Sequence, residues 1–311
     1  MKCSHPPIMN KQGFYFIEPF TEDFYRFFKL EGVHYEGRTK YQQVHCFKSR
    51  LFGKVLFLDN KIQSAQVDEF VYHEALVHPA MIAHPSPRRV LVLGGGDGLA
   101  VREILKYPSV ESVTLVDLDP KMTGLSKELP VLAELNRNAM DDPRVTVINS
   151  DAFVWVDNTD MPPFDIAIVD FPDPNNFALG KLYSTRFYNL LRARLQPEAA
   201  IVIQCTSPLY ARNSYWSIIK TLEAAGFSVK PFYTTVPSFG VWGYALAKTI
   251  PFETPQKPPA GIELKFLNES SFAAMFDFPS DMTLPSDDIE INRLDNQALV
   301  RYYETEWRRF E

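Results

Sequence analysis

The stretch Val90-Leu-Val-Leu-Gly-Gly-Gly-Asp-Gly98, with the later run Ser112-Val-Thr-Leu-Val-Asp117, constrains this chain most. An uninterrupted apolar run predicts a strand buried on both faces, and Val101-Arg-Glu-Ile-Leu105 reads as an opening helix. Four of the chain's 14 glycines fall within this one loop. Such a loop lets backbone approach a ligand closely. Asp117 ends the next apolar run, about 20 residues on, where a carboxylate accepts hydrogen bonds from a ribose. The order strand, glycine loop, helix, strand, acid predicts a nucleoside cradle.

The rest of the chain can be arranged around that cradle. Strands are predicted at 90–93, 112–116, 145–148, 165–169, 200–204 and 243–247, and helices at about 99–106, 120–128, 184–194 and 213–225. This alternation implies a doubly wound, mainly parallel α/β sheet of Rossmann-like, class I methyltransferase type. Asp151, Asp170 and Gln204 each fall at or just beyond a predicted strand end. Ligands of such sheets bind there. Upstream, Gln43-Val-His-Cys-Phe47, Lys54-Val-Leu-Phe-Leu58 and Lys61-Ile-Gln63 are separated by turns at Phe52-Gly53 and Asp59-Asn60, which predicts a small antiparallel β unit. The aromatic-rich residues 1–37 read as a packed N-terminal segment. A helix is predicted from Val67 to Val77, leaving at Pro79. A proline-rich connector follows Pro251, and a last helix is expected from Asn296 to Arg308. The expected division is an N-terminal β-hairpin domain with its connecting helix at 1–78, a nucleoside-binding catalytic domain at 79–250, and a C-terminal extension at 251–311.

Bulk composition narrows the partners. The net charge of −6 disfavours nucleic acid, which needs a basic face. No apolar run reaches the ~20 residues that cross a bilayer, and the first residues lack the core of a signal peptide. The three cysteines, Cys3, Cys46 and Cys205, have no paired spacing, which suggests a reducing compartment without structural zinc. The expected setting is the cytoplasm, with neither membrane nor nucleic acid as partner.

The loop itself discriminates among nucleosides. Gly94, Gly96 and Gly98 fit G-x-G-x-G, but Leu99 occupies the place of the third glycine of a dinucleotide fingerprint. Asp97, inside the loop, would repel a pyrophosphate. A nucleoside with a cationic tail, such as a sulfonium, fits better. Asp170-Phe-Pro-Asp173-Pro174 adds two carboxylates at a strand end. They could serve acid–base work, an ammonium or a metal, but magnesium usually needs phosphate or further carboxylates. No metal is expected.

Taken together, Tyr41-Gln42, Phe52-Gly-Lys-Val-Leu-Phe-Leu-Asp59, Ile62-Gln63, Asp68-Glu-Phe-Val-Tyr-His-Glu74, Gly94–Gly98, Arg102-Glu103, Asp141-Asp-Pro-Arg-Val145, Asp170-x-x-Asp-Pro174 and Trp242-Gly243 resemble the spermidine synthase family of aminopropyltransferases. The resemblance implies an N-terminal β domain on a Rossmann-like domain, assembled as a homodimer or larger. It implies transfer of an aminopropyl group from decarboxylated S-adenosylmethionine, a co-substrate rather than a permanently bound cofactor, to a polyamine or other amine, releasing methylthioadenosine. By the same resemblance Gln42 and Asp117 hold the donor's ribose and Asp151 lies by its adenine. Asp97 and Asp170 surround its amine, and Gln63 lines its cleft, with Gly94, Gly96 and Gly98 forming the loop. Tyr72, Asp173 and Gln204 hold the acceptor amine, with His73, Phe239 and Trp242 around it. The chemistry then requires no covalent intermediate: Asp170 is expected to take the amine's proton, and Asp173 to anchor the amine with Tyr72.

Several positions depart from the family pattern. The segment Phe171-Pro-Asp-Pro-Asn-Asn-Phe177 replaces a Ser/Thr- and Gly-Pro-containing gate loop, and Leu99 stands for a glycine. Asp117 replaces a longer Glu, Ala152 a glycine, and Ser238-Phe-Gly240 a Tyr-containing turn. Two rival readings follow. One is a 3-amino-3-carboxypropyl transferase or methyltransferase using intact S-adenosylmethionine. The other is a nucleoside- or polyamine-binding protein without turnover.

Overall fold

The computed structural model describes residues 8–10, 13–20, 24–255 and 257–308. Met1 to Pro7, and with them Cys3, lie outside the described residues. Two sheets organise the chain. The first is an antiparallel meander in chain order: β1 (Ile8–Asn10), β2 (Gly13–Pro19), β3 (Tyr25–Arg38), β4 (Gln43–Ser49), β5 (Gly53–Leu58) and β6 (Lys61–Ala65). Asp59 (φ 47°) and Asn60 (φ 66°) form the two-residue turn between β5 and β6. A primed hairpin turn requires positive φ at both positions, and Asp and Asn tolerate it. β2 and β3 form where only a packed segment was expected. Phe14-Tyr-Phe-Ile17 hides its alternation, because both sheet faces of this stretch are apolar. Phe16, Phe28, Phe47, Val55 and Phe57 pack one face. Val44, Cys46 and Leu56 of the other face pack against Met122, Leu125 and Leu132.

The second sheet contains β7 (Arg89–Gly94), β8 (Ser112–Asp117), β9 (Val145–Asn149), β10 (Phe164–Asp170), β11 (Leu195–Gln204), β12 (Ser228–Val236) and β13 (Gly240–Lys248), in the order β12-β13-β11-β10-β7-β8-β9. The strands from β9 to β11 are parallel, and the β12–β13 hairpin is added antiparallel beyond β11. β12 went unrecognised in the sequence because Lys230 and Pro231 interrupt it. Its edge position explains why a proline is tolerated there.

Helices cover both faces of this sheet. α1 (Glu69–Ala83) and α2 (Leu99–Ile104) pack on one, against Val90, Val92, Ile166 and Ile168. Next come α3 (Pro120–Glu128) and α4 (Pro130–Leu135), which carry the leucines beneath the first sheet. On the other face α5 (Ala152–Asn158), α7 (Thr185–Arg192) and α8 (Arg212–Ala224) bury Val156, Phe187, Leu191, Ile218 and Leu222 against Leu91, Ala167 and Ile201. The short α6 (Phe177–Gly180) lies between α5 and α7. α9 (Glu269–Ala274) and α10 (Ala298–Arg308) follow the connector. α1 continues through Pro79 instead of ending before it. Twelve of its 15 residues are buried, so packing on nearly all sides outweighs the ~3 kcal/mol that an interior proline costs. Among the described residues no helix is long and apolar enough to cross a membrane.

One buried carboxylate ties the connector to α1. Glu74 is 0% exposed and accepts the backbone N–H groups of Lys265 (2.7 Å), Phe266 (3.0 Å) and Leu267 (2.9 Å). Replacing Glu74 by Ala orphans these donors and is expected to lower the unfolding free energy by about 3 kcal/mol. Urea denaturation checks this, and a loss below about 1 kcal/mol would show that the connector is held by other means.

Candidate active site

The sheet order reverses direction between β7 and β10: β8 follows β7 on one side, while β10 and β11 lie on the other. A crevice opens at such a switch point beyond the strands' carboxyl ends. Gly94 of β7 is the direct register partner of Asp170 of β10. A Cβ on Gly94 would stand 2.2 Å from the Asp170 carbonyl oxygen, and its φ is +79°. Only glycine fits there. At Gly96 a Cβ would stand 2.7 Å from Asp117 Oδ2, the same oxygen that accepts the Gly96 N–H at 3.1 Å. Gly98, at φ +79°, abuts Met140 and starts α2. The glycines thus bring the loop backbone against the main chain of Asp170 and the carboxylate of Asp117.

Four acids line this crevice. Asp117 accepts N–H groups from Gly96 and from Asp119 (2.8 Å). Burial nevertheless pushes its carboxyl up to about 6, helped by the carboxylates of Asp119 and Asp97. Asp97 is half-buried, and its Oδ1 accepts the Leu99 N–H at 3.0 Å, a local turn bond just before α2. Leu99 is itself 1% exposed, so its side chain packs inward where a fingerprint glycine would stand. Asp170 accepts the Tyr72 hydroxyl at 2.6 Å. Burial pushes it up to about 6, with Asp97 and Asp117 adding to the rise, while His73 and the Tyr72 bond oppose it. Asp173 is also pushed up to about 6 by burial, against hydrogen bonds from Tyr303 and Thr206. A set of desolvated carboxylates near neutral pH marks a site made for cations or proton transfer.

His73 supplies the balancing charge. Burial opposes its protonation, but the hydrogen bond to Glu69 and the carboxylates of Asp97 and Asp170 raise it above the usual histidine range. It lies behind the crevice, 2% exposed, and its Nδ1 donates to the Glu69 carbonyl at 2.7 Å. Its ring packs edge-on against Tyr72. Glu69 in turn takes Arg102 through both oxygens at 2.8 Å. Arg102 reaches Glu103, and Glu103 reaches His78, so a buried ionic chain backs the crevice.

The remaining expected residues divide by what already occupies them. Gln42 donates to Asp119 Oδ2 at 3.0 Å and so links the first sheet to the start of α3, beside Asp117. Asp151 caps α5 through the Phe153 and Val154 N–H groups and pairs with Lys181 at 2.7 Å. Gln63 is exposed on β6 and donates to the Lys61 carbonyl. Gln204 was expected on the acceptor amine, yet all four hydrogen-bonding positions of its amide are engaged. It donates to Tyr183 Oη (2.7 Å) and to the Phe171 carbonyl. It accepts from the Thr206 N–H (2.9 Å) and Trp242 Nε1 (3.2 Å). Its visible task is to hold the 171–173 turn and the indole. Phe239 bridges Tyr72 and Trp242 by edge-to-face contacts.

Three participants escaped the sequence reading. Tyr183 donates to the Pro172 carbonyl at 3.1 Å. Thr206 donates to Asp173 Oδ2 at 3.2 Å from a left-handed backbone, φ 59°, strained for a β-branched residue. Tyr303 donates to the same oxygen at 2.8 Å from α10. Thr206 could have been noticed two residues beyond Gln204. Nothing near Tyr303 in sequence signals it.

Residues 69–257 match the spermine/spermidine synthase domain, and residues 15–66 match the spermidine synthase tetramerisation domain. The chain belongs to the spermine/spermidine synthase family. Family members with similar sequences include a polyamine aminopropyltransferase of Leptospira interrogans, 50% identical over 88% of this chain and 53% of that protein. Polyamine aminopropyltransferase 2 of Ralstonia nicotianae is 50% identical over 81% of this chain and 49% of its own length. The chain spans about half the length of the curated relatives it matches. Within the family, a crystal structure of spermidine synthase in complex with the transition-state analogue AdoDATO superposes with a TM-score of 0.79 at 26% identity, covering 90% of this chain and 97% of that one. The Rossmann-like fold with an N-terminal antiparallel sheet is therefore the family's.

The raised acids have a consequence for stability. Asp173 carries a folded value of about 6 against an unfolded value near 3.9. From about pH 4 to about pH 6 the folded protein keeps a proton that the unfolded chain releases. The stabilising contribution therefore declines as pH rises through that window. An Asp173→Asn variant lacks the effect. Its unfolding free energy relative to wild type should rise between about pH 4 and about pH 7, as read from urea titrations. A pH-independent difference would contradict the assignment.

Proposed function

We propose that the chain transfers an aminopropyl group from decarboxylated S-adenosylmethionine to an amine acceptor. The observation that carries this reading is the crevice in which the raised carboxyls of Asp117, Asp170 and Asp173 stand with Asp97 around a glycine cradle, with the buried His73 behind them. Such a site suits a sulfonium nucleoside and an ammonium together, since both partners are cationic. The 50% identity to polyamine aminopropyltransferases supports the same assignment.

In this reading Asp117 accepts the ribose hydroxyls, with Gln42 steadying Asp119 beside it, and Asp97 meets the donor's amine. The acceptor nitrogen attacks the carbon next to sulfur. A C–N bond forms, the C–S bond breaks, and its electron pair stays on sulfur as neutral methylthioadenosine leaves. The nitrogen's proton passes to Asp170. With a carboxyl near 6, Asp170 is largely ionised at neutral pH and ready to accept. Tyr72 orients it through the 2.6 Å hydroxyl bond. A free amine holds its proton to about pH 10. An ammonium has no lone pair to attack with, so one proton passes to Asp170 before the C–N bond forms.

Intact S-adenosylmethionine is the less suitable donor. Its carboxylate would be repelled by the carboxylates of Asp97 and Asp170. We infer further that the chain self-associates as a homodimer or larger through its first sheet. Phe27 (64% exposed) and Val33 (50%) stand open on that sheet, and its match to a tetramerisation domain supports this. The buried free thiols of Cys46 and Cys205 support a cytoplasmic setting.

Replacing Asp170 by Asn should lower turnover by about 10²–10⁴-fold while methylthioadenosine binding, followed by calorimetry, changes only a few-fold. The assay is a donor-by-amine matrix read by mass spectrometry. Near-normal turnover in the variant would remove Asp170 as the base. S-adenosylhomocysteine as the nucleoside product would replace alkyl transfer by methyl transfer.

A further inference from the structure

The segment beyond the central sheet is built into the acceptor side of the crevice. On α10, Leu299, Tyr303 and Trp307 share one face at four-residue spacing. Leu299 is fully buried in the core beneath α7 and α8. Glu306 accepts the Ser214 N–H (3.0 Å) and hydroxyl (2.6 Å), along with the Asn213 N–H, at the start of α8. Asn292 donates to the carbonyls of Gly180 (2.9 Å) and Tyr183 (3.2 Å) and accepts the Leu299 N–H. These bonds fix the helix from both ends. Trp307 packs edge-to-face with Phe20 and at a tilt to Tyr210, with ring centroids at 5.2 and 6.0 Å. Tyr303, 5.8 Å from Trp307, is thereby aimed at Asp173.

The hydrogen bonding at Asp173 is lopsided. Oδ2 receives both Tyr303 Oη (2.8 Å) and Thr206 Oγ1 (3.2 Å). Oδ1 is buried and has no hydrogen-bond partner among the described residues. A buried carboxylate oxygen left so is costly until a donor meets it. Two donors from different elements on one oxygen also hold the carboxylate plane fixed, so the other oxygen points one way.

Resting on the aminopropyl-transfer reading, we propose that Tyr303 is a positioning residue of the acceptor site, fixing Asp173 so that Oδ1 receives the ammonium of the acceptor amine. α10 is then a wall of the acceptor pocket, and acceptor choice depends on a helix outside the matched synthase domain, which spans residues 69–257. Among the described residues the Tyr303 hydroxyl bonds Asp173, and its ring lies beside Trp307. Its effect falls on the acceptor alone.

The test is steady-state kinetics of Tyr303→Phe with decarboxylated S-adenosylmethionine and putrescine or spermidine. The variant keeps the ring and removes the hydroxyl. The expected result is an acceptor KM raised about tenfold, the size of one lost bond to a charged group, with the donor KM within about twofold and an unchanged thermal midpoint. Tyr303→Ala, which also removes the ring, should raise the acceptor KM at least as much. An unmoved acceptor KM in Tyr303→Phe overturns the role of Tyr303. So does a parallel rise of both KM values with a lowered midpoint, which marks a structural residue only. Wild-type protein that turns over no donor–amine pair overturns the aminopropyl-transfer reading itself, and the acceptor site with it.

Discussion

The crevice depends on how closely β7 and β10 approach at their carboxyl ends. Because Gly94 and Asp170 are register partners, a side chain on the loop is excluded by the backbone of the residue proposed as base. Desolvation in this crowded crevice raises the carboxyl of the half-buried Asp170 to about 6. Sheet topology, loop composition and proton affinity are thus one fact seen at three scales. The opposite wall follows the same logic: Gly96 has no side chain where Asp117 Oδ2 must lie.

Behind this wall the protein spends buried charge to keep the acids usable. His73, Glu69, Arg102, Glu103 and His78 form a chain of ion pairs and hydrogen bonds running from the crevice into the core. Breaking any link would strand a charge in a low-dielectric interior. That chain explains why the motif containing Asp68 to Glu74 is mostly polar although α1 is almost entirely buried. Its polar members face three ways: Asp68 accepts Ser238 through backbone and hydroxyl, Glu69 and His73 serve the crevice, and Glu74 holds the connector.

How much of this was legible in the sequence follows from how local each signal is. The strand–glycine loop–helix–strand order needed only neighbouring residues. α3 was bounded correctly because Asp119-Pro120 is an N-cap followed by a first-turn proline. Asp117 and Asp170 could be read because they end apolar runs, and Asp97 and Asp173 because they stand in the loops that follow such runs. β2 and β3 were not read as strands, since aromatic residues on both faces erase the alternation that marks a strand. β12 was hidden by a proline that only an edge position permits. Tyr303 lay beyond reach altogether: its meaning comes from a contact across 130 residues of chain with Asp173. Gln204 shows the converse, a polar strand end whose amide is consumed by protein groups before any ligand arrives.

Thr206 carries a consequence for how this protein can change. Its left-handed backbone costs roughly 1–3 kcal/mol, a standing subtraction from stability that Gly or Asn would relieve. Glycine would surrender the hydroxyl that holds Asp173, and asparagine would alter its reach. Stability and the proposed acceptor binding therefore pull in opposite directions at one position. Selection for a more robust fold alone would push this site toward a residue that loosens the pocket, so the threonine reads as a record of what the pocket is kept for.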